Sequence, residues 1–263
     1  MNKHSSRRSF LASAVAAGAA AALGNKAMAN NLISPAFEKV ADEKDLIILF
    51  QGDSITDGNR GRNADPNHIM GHGYAFSIAS RVGADFPTSG FNFYNRGISG
   101  NKVTDLKNRW QEDALNIKPD VLSILVGIND AALLVSKPSL EEKDFDRFES
   151  AYRDILQQSK QVKPGILLVL CLPFVFPNIK NKGDDYRNAI SKLSERVKKL
   201  SVEFTAVLVD FPAVFDKAIK TAPVEYWIWD GIHPTVPAHE LMAREWIKQV
   251  SSRLEFLKIY QYK

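Results

Sequence analysis

Beyond residue 40, short apolar runs alternate with longer segments in which apolar and polar residues are mixed. The runs at 46–50, 91–94, 121–126, 166–172 and 206–209 have the length of strands, and most are apolar at odd and even positions alike. A strand with one wet face alternates, whereas a strand covered on both faces has no need to, so these runs predict a parallel sheet between two layers of helices. Between them, Phe145, Phe148, Tyr152 and Ile155, and then Ile190, Leu193, Val197 and Leu200, recur at helical spacing and form one stripe each. A last helix is predicted after His239, with Ala243, Ile247, Val250 and Leu254 on its inner face. Strand and helix succeeding one another five times predict α/β class and a single three-layer α/β/α domain. Two irregular stretches, 56–73 and 173–185, follow the first and fourth strands, and loops of that length at strand ends are more often functional than decorative.

Composition changes this picture at the N-terminus. The chain has 263 residues, 45% of them hydrophobic, which is ample material for a packed core and excludes a disordered chain. Lys and Arg total 34 against 30 Asp and Glu, but Lys3, Arg7, Arg8 and Lys26 all lie in the first 29 residues. The rest is balanced and offers no basic footprint for nucleic acid or an anionic membrane surface. Residues 1–29 read instead as an export signal: a basic start with Arg7-Arg8 in the twin-arginine pattern, a small-residue apolar stretch, and Ala27-Met28-Ala29 as an A-x-A cleavage site. That stretch is too short and too rich in Ala and Gly to span a bilayer core of about 30 Å. The expected mature protein is therefore residues 30–263, exported to the periplasm or beyond, without stable membrane insertion. Cys171 is the only cysteine, so an internal disulfide is impossible, and its place in an apolar run predicts an inert core thiol.

In an open α/β sheet, ligands bind at the carboxyl ends of the strands. The first strand leaves through Gly52-Asp53-Ser54-Ile55-Thr56, the second through Asn95-Arg96-Gly97-Ile98-Ser99-Gly100-Asn101 and the third through Gly127-Ile128-Asn129-Asp130. Asp230-Gly231-Ile232-His233-Pro234 precedes the last helix. A serine becomes a nucleophile when a neutral imidazole takes its proton and a carboxylate orients that imidazole, and Ser54, His233 and Asp230 supply this set, the last two on one turn. Donors for an oxyanion are available from the N–H groups of Ser54 and Gly100 and the side chain of Asn129. Asp53 and Asp130 read as acceptors for loop backbone amides. His68 and His72 lie four apart, but Gly71 and Gly73 make a poor helix of that segment and no further ligand sits at metal spacing. No phosphate-cradling, dinucleotide-binding or H-E-x-x-H motif occurs, and no cofactor is expected. The absence of G-x-S-x-G removes the α/β-hydrolase elbow as a competitor.

Taken together, Gly52-Asp53-Ser54-Ile55-Thr56, Ile98-Ser99-Gly100, Gly127-Ile128-Asn129-Asp130 and Asp230-Gly231-Ile232-His233-Pro234 resemble the four blocks of the SGNH, or GDSL-type, hydrolases. They occur in the family's order, and the likeness extends over residues 44–257. Ile55 stands where the family's name has Leu. The resemblance implies a flavodoxin-like five-stranded parallel sheet, ester hydrolysis by Ser54, Asp230 and His233, and an oxyanion hole of Ser54, Gly100 and Asn129.

Further candidates for substrate contact lie outside these blocks. His72 is placed to face a ligand and one ring of Tyr226-Trp227-Ile228-Trp229, Trp229 above all, to stack on a sugar, while the loop beginning Ala131-Ala132-Leu133-Leu134 and the segment Phe174-Val175-Phe176 are expected to wall an acyl pocket that Phe174 or Phe176 closes. The resulting expectation is an exported serine esterase that removes short acyl groups, acetyl first among them, from a small-molecule or polysaccharide ester. The alternatives are a lysophospholipase or broad lipolytic esterase, and an inactive carbohydrate-binding protein on the same scaffold. Intact Ser54, Asn129 and His233 argue against the last, and export argues against intracellular thioesters as substrates.

Overall fold

A computed structural model describes the protein at residues 43–63, 68–179 and 183–262, and the expected export signal lies outside them. Strands β1 (Ile47–Gly52), β2 (Asn92–Asn95), β3 (Val121–Leu125), β4 (Leu167–Cys171) and β5 (Val207–Val209) are all parallel and pair in the order β2-β1-β3-β4-β5. This is the flavodoxin-like order, and its direction of winding reverses at β1 and β3. Each strand falls within two residues of an apolar run. The first extends beyond its run because Gln51, though polar, is fully buried and donates its side-chain N–H to the carbonyl of Asp113 at 2.7 Å.

The helices are α1 (Ser54–Asp57), α2 (Tyr74–Asp85), α3 (Val103–Asn108), α4 (Ile128–Val135), α5 (Glu142–Val162), α6 (Gly183–Glu203), α7 (Phe211–Ala218), α8 (Val224–Trp227) and α9 (Val236–Val250). Alternate strand residues face opposite layers. Leu49, Leu122, Ile124, Leu168 and Leu170 pack with Leu106 of α3, Phe145 and Tyr152 of α5, and Leu193 and Val197 of α6. On the other face, the Phe50 ring centre lies 5.9 Å from that of Tyr74 in α2 and 5.5 Å from that of Trp246 in α9. Trp246 donates its indole N–H to Ser123 of β3 at 3.0 Å, so its one polar atom is satisfied inside the core. Cys171 is buried beside Ser123, and burial pushes its thiol up to about 12, which leaves it unreactive.

The last helix differs from its expected start. It begins at Val236 after an extended Thr235, with Pro237 in its first turn, so His239 lies inside the helix instead of before it, and Leu254 falls beyond its end. Likewise α6 starts at Gly183, which shortens the irregular stretch after β4. Among the described residues no helix is long and apolar enough to cross a membrane. The register levels the strand ends: Gly52 lies opposite Leu125, Leu125 opposite Cys171, and Cys171 opposite Val209. All exit loops therefore start from one edge.

Candidate active site

At that edge Ser54 is the first residue of α1. Asp53 is its N-cap and accepts the Ile55 N–H at 3.1 Å, fixing the turn that takes the chain from strand into helix. The Ser54 hydroxyl meets Nε2 of His233 at 2.9 Å, and Nδ1 of the same ring meets a carboxylate oxygen of Asp230 at 2.6 Å. With the ring proton on Nδ1 facing a carboxylate, Nε2 is the acceptor and Ser54 the donor. The second Asp230 oxygen accepts the backbone N–H of His233 at 2.7 Å and of Ile232 at 2.9 Å. Burial works against the Asp230 charge, but these two N–H groups and the imidazole outweigh it and hold the carboxyl below the usual range.

The Asp230–His233 turn is held from behind by the segment after β4. Phe176 N–H donates to the Gly231 carbonyl at 2.8 Å, and the Asn178 side chain donates to the Ile228 carbonyl at 2.7 Å. Gly231 has φ +90°, and a Cβ there would fall 2.4 Å from the backbone of Ile179. Gly231→Ala is thus expected to combine a strained backbone with a backbone clash and to lower unfolding stability by about 2 kcal/mol or more, read from urea midpoints. A change below about 0.5 kcal/mol, the size of an ordinary surface substitution, would show that this packing does not hold the turn.

The donors suggested for an oxyanion stand at neighbouring strand ends. Ser54 follows β1, Gly100 lies in the loop leaving β2, and Asn129 is in the first turn of α4 after β3. Gly100 has φ +83°, and among the described residues no atom beyond its own and its chain neighbours' lies within 4 Å of where a Cβ would be, so the space beside it is open. Asn129 donates one amide hydrogen to the Asn101 carbonyl at 3.1 Å, which ties the two loops together and leaves its second hydrogen for a ligand.

Two residues not singled out from the sequence build this edge. Asp57, buried at the end of α1, accepts both N–H and O–H of Ser99, at 2.9 and 3.0 Å, and pairs with Arg62 at 2.7 Å. Burial alone would raise its pKa, but Arg62 and Ser99 hold it below the usual range. Asn95 closes β2 by donating to the Thr56 and Met70 carbonyls, at 2.7 and 2.9 Å, and accepting the Gly97 N–H at 2.9 Å. Asp53 and Asp130 each hold backbone amides, Asp130 that of Val103.

A cleft of about 230 Å³ opens at Ser54 and is lined by Ile55, Asn59, His72, Ser99, Trp229, His233, Pro234 and His239, among others. His72 is therefore in its wall. Trp229 remains 63% exposed and stacks on His233, with 5.9 Å between ring centres and 25° between planes. Phe174 is not brought here, contrary to the expectation for it. Past Pro173 its ring turns into an aromatic cluster with Phe176, Phe211 and Phe215 beneath α7, where it is 2% exposed. Of the other expected wall residues, Leu134 is buried in the core and Leu133 is half exposed, and neither lines the cleft. Gly100 and Asn129 are not among the lining residues either, although Ser99 is.

Residues 50–241 match the model of the GDSL-like lipase/acylhydrolase family. The chain belongs to that family. This GDSL-type chain is 34% identical to the acetylxylan esterase of Geobacillus stearothermophilus over 207 residues, 77% of this chain and 93% of that protein. A crystal structure of the Geobacillus esterase superposes with a TM-score of 0.69 at 31% identity, covering 81% of this chain and 96% of that one. A structure described as a GDSL-like lipase of Parabacteroides merdae gives a TM-score of 0.74 at 36% identity, covering 81% and 99%. Other structures of the Geobacillus esterase are described as catalytic mutants at a serine, an aspartate and a histidine, spaced along that chain as Ser54, Asp230 and His233 are here. As a GDSL-type hydrolase, the protein is a serine carboxylic ester hydrolase.

Proposed function

We propose that the protein is an exported acetylesterase that removes acetyl groups from carbohydrate, with Ser54, His233 and Asp230 as its catalytic triad. Ser54 Oγ attacks the ester carbonyl carbon while its proton passes to His233 Nε2, and Asp230 stabilises the imidazolium that forms. The oxyanion is received by the N–H groups of Ser54 and Gly100 and the side-chain amide of Asn129. His233 then returns the proton to the sugar oxygen, which leaves as the alcohol, and acetyl remains on Ser54. Water adds to this acyl-enzyme as His233 takes its proton, acetate departs, and Ser54 regains its hydrogen. Residues 1–29 serve as a twin-arginine export signal cut after Ala29, in keeping with a polymeric substrate outside the cytoplasm.

The observation that carries this reading is the cleft itself. It is small beside the 300–1,000 Å³ usual for ligand pockets, and its lining is largely polar. A lipolytic enzyme needs an apolar trough that gains about 0.8 kcal/mol for each CH₂ it buries, whereas among the described residues the lining around Ser54 has only Ile55, Trp229 and Pro234 as apolar side chains. The exposed Trp229 face beside the triad suits a pyranose ring, and the likeness to an acetylxylan esterase supports the same substrate class. The expected result is that kcat/KM falls steeply from acetyl through butyryl to octanoyl p-nitrophenyl esters and that acetylated xylo-oligosaccharides are turned over. Rates that rise with chain length to octanoyl would replace this reading with a lipolytic one.

A further inference from the structure

We infer that His239 is a specificity-determining residue of the same cleft, a neutral imidazole that donates its Nε2 hydrogen to an oxygen of the sugar from which the acetyl group is removed. The inference rests on the acetyl-carbohydrate reading above and adds to it a recognition element that the hydrolytic steps do not use. His239 is only 5% exposed, yet it lines the cleft together with Ser54, His72 and Trp229. Its tautomer is fixed by the backbone: Nδ1 accepts the Tyr74 N–H at 3.1 Å, which requires a bare Nδ1 and places the proton on Nε2. The Cε1 and Nδ1 edge of the ring faces Gly73, where an added Cβ would lie 3.4 and 3.6 Å from those two atoms. With Nδ1 engaged by the Tyr74 N–H, Nε2–H, bonded to Cε1, is the one polar group of the ring left to serve the cleft that His239 lines. Burial, with His72 and His233 nearby, lowers the pKa of His239 to about 4, so the ring stays a neutral donor through the working range of an esterase.

The surroundings specify what such a donor meets. The His72 ring packs edge-on against His239, with centres 6.4 Å apart, and Trp229, stacked on His233, presents an exposed aromatic ring in the same cleft. A flat apolar surface next to a fixed N–H matches a pyranose, which offers a C–H face and a rim of oxygen acceptors. Simple aryl acetates carry the same acyl group but none of those oxygens, so the two substrate types separate recognition from chemistry.

Two substitutions separate donor from scaffold. His239→Asn puts an amide oxygen near the place of Nδ1, keeping the acceptor for Tyr74, and removes the donor that reaches the cleft. The expected result is a roughly tenfold loss of kcat/KM on acetylated xylo-oligosaccharides, the size of one lost uncharged hydrogen bond, with p-nitrophenyl acetate changed less than about twofold. His239→Gln carries its amide to the Nε2 position at the expense of the Tyr74 bond, and is expected to lower Tm while keeping the wild-type ratio of saccharide to aryl activity. An Asn variant that loses both activities equally, or neither, would overturn the assignment, as would a Gln variant whose ratio falls as far as that of Asn. Wild-type enzyme that hydrolyses p-nitrophenyl acetate but no acetylated saccharide would overturn the substrate reading itself, and the subsite with it.

Discussion

Ser54→Ala is expected to lower kcat for p-nitrophenyl acetate by about 10⁶ and to leave the fold unchanged, because removing the nucleophile of a serine triad costs nearly all of the rate while the rest of the machinery contributes only a residue of it. The structure explains why stability should not follow. Among the described residues the hydroxyl is hydrogen-bonded to His233 alone, whereas the turn around it is fixed by Asp53 capping Ile55 and by backbone bonds from Asp57 to Asp53 and from Gly58 to Ser54. Alanine retains all of these. Thermal unfolding followed beside initial rates checks both halves, and a variant with more than a few per cent of wild-type turnover would move the nucleophile elsewhere.

Asp230→Asn is expected to cost about 10⁴ in kcat without loss of structure, through the wrong tautomer of His233. The two Asp230 oxygens have different duties: one accepts the backbone amides of Ile232 and His233, the other faces Nδ1. An asparagine can keep its oxygen on the backbone amides only by turning its NH₂ toward Nδ1. The ring must then accept at Nδ1 and carry its proton on Nε2, where it meets Ser54 and cannot take the hydroxyl proton. Initial rates with p-nitrophenyl acetate, beside a structure or near-ultraviolet spectrum, decide the matter. A loss of less than about tenfold with the structure intact would mean that Asp230 does not set the tautomer.

The strands were readable from sequence because burial on both faces leaves continuous apolar runs, and the four polar exits were readable because each combines a glycine with a small polar residue. Burial that depends on one distant partner leaves no such trace. Gln51 is buried in β1 with its side-chain N–H on the Asp113 carbonyl, 62 positions away. Asp57 and Asn95 look like ordinary loop polars until the fold brings them to Ser99, Thr56 and Met70. His239 was expected just before the last helix, and its place in the first turn of α9 is what brings it to Tyr74 and the cleft. Phe174 was misread for a related reason: strand alternation ends at Leu172-Pro173, so nothing local says which way the next ring points.

The proposed triad is carried by two supports of unequal firmness. Ser54 issues from a central strand paired on both sides, while Asp230 and His233 ride on a turn fastened to another loop through Phe176, Asn178 and the close approach of Gly231 to Ile179. Loop fastened to loop belongs to the part of a protein that opens by partial unfolding, at a free energy below that of the whole. Under rising denaturant the imidazole and its carboxylate are therefore expected to leave the serine together, as one small cooperative unit, so that esterase activity is lost at a lower denaturant concentration than the far-ultraviolet signal of the sheet and helices.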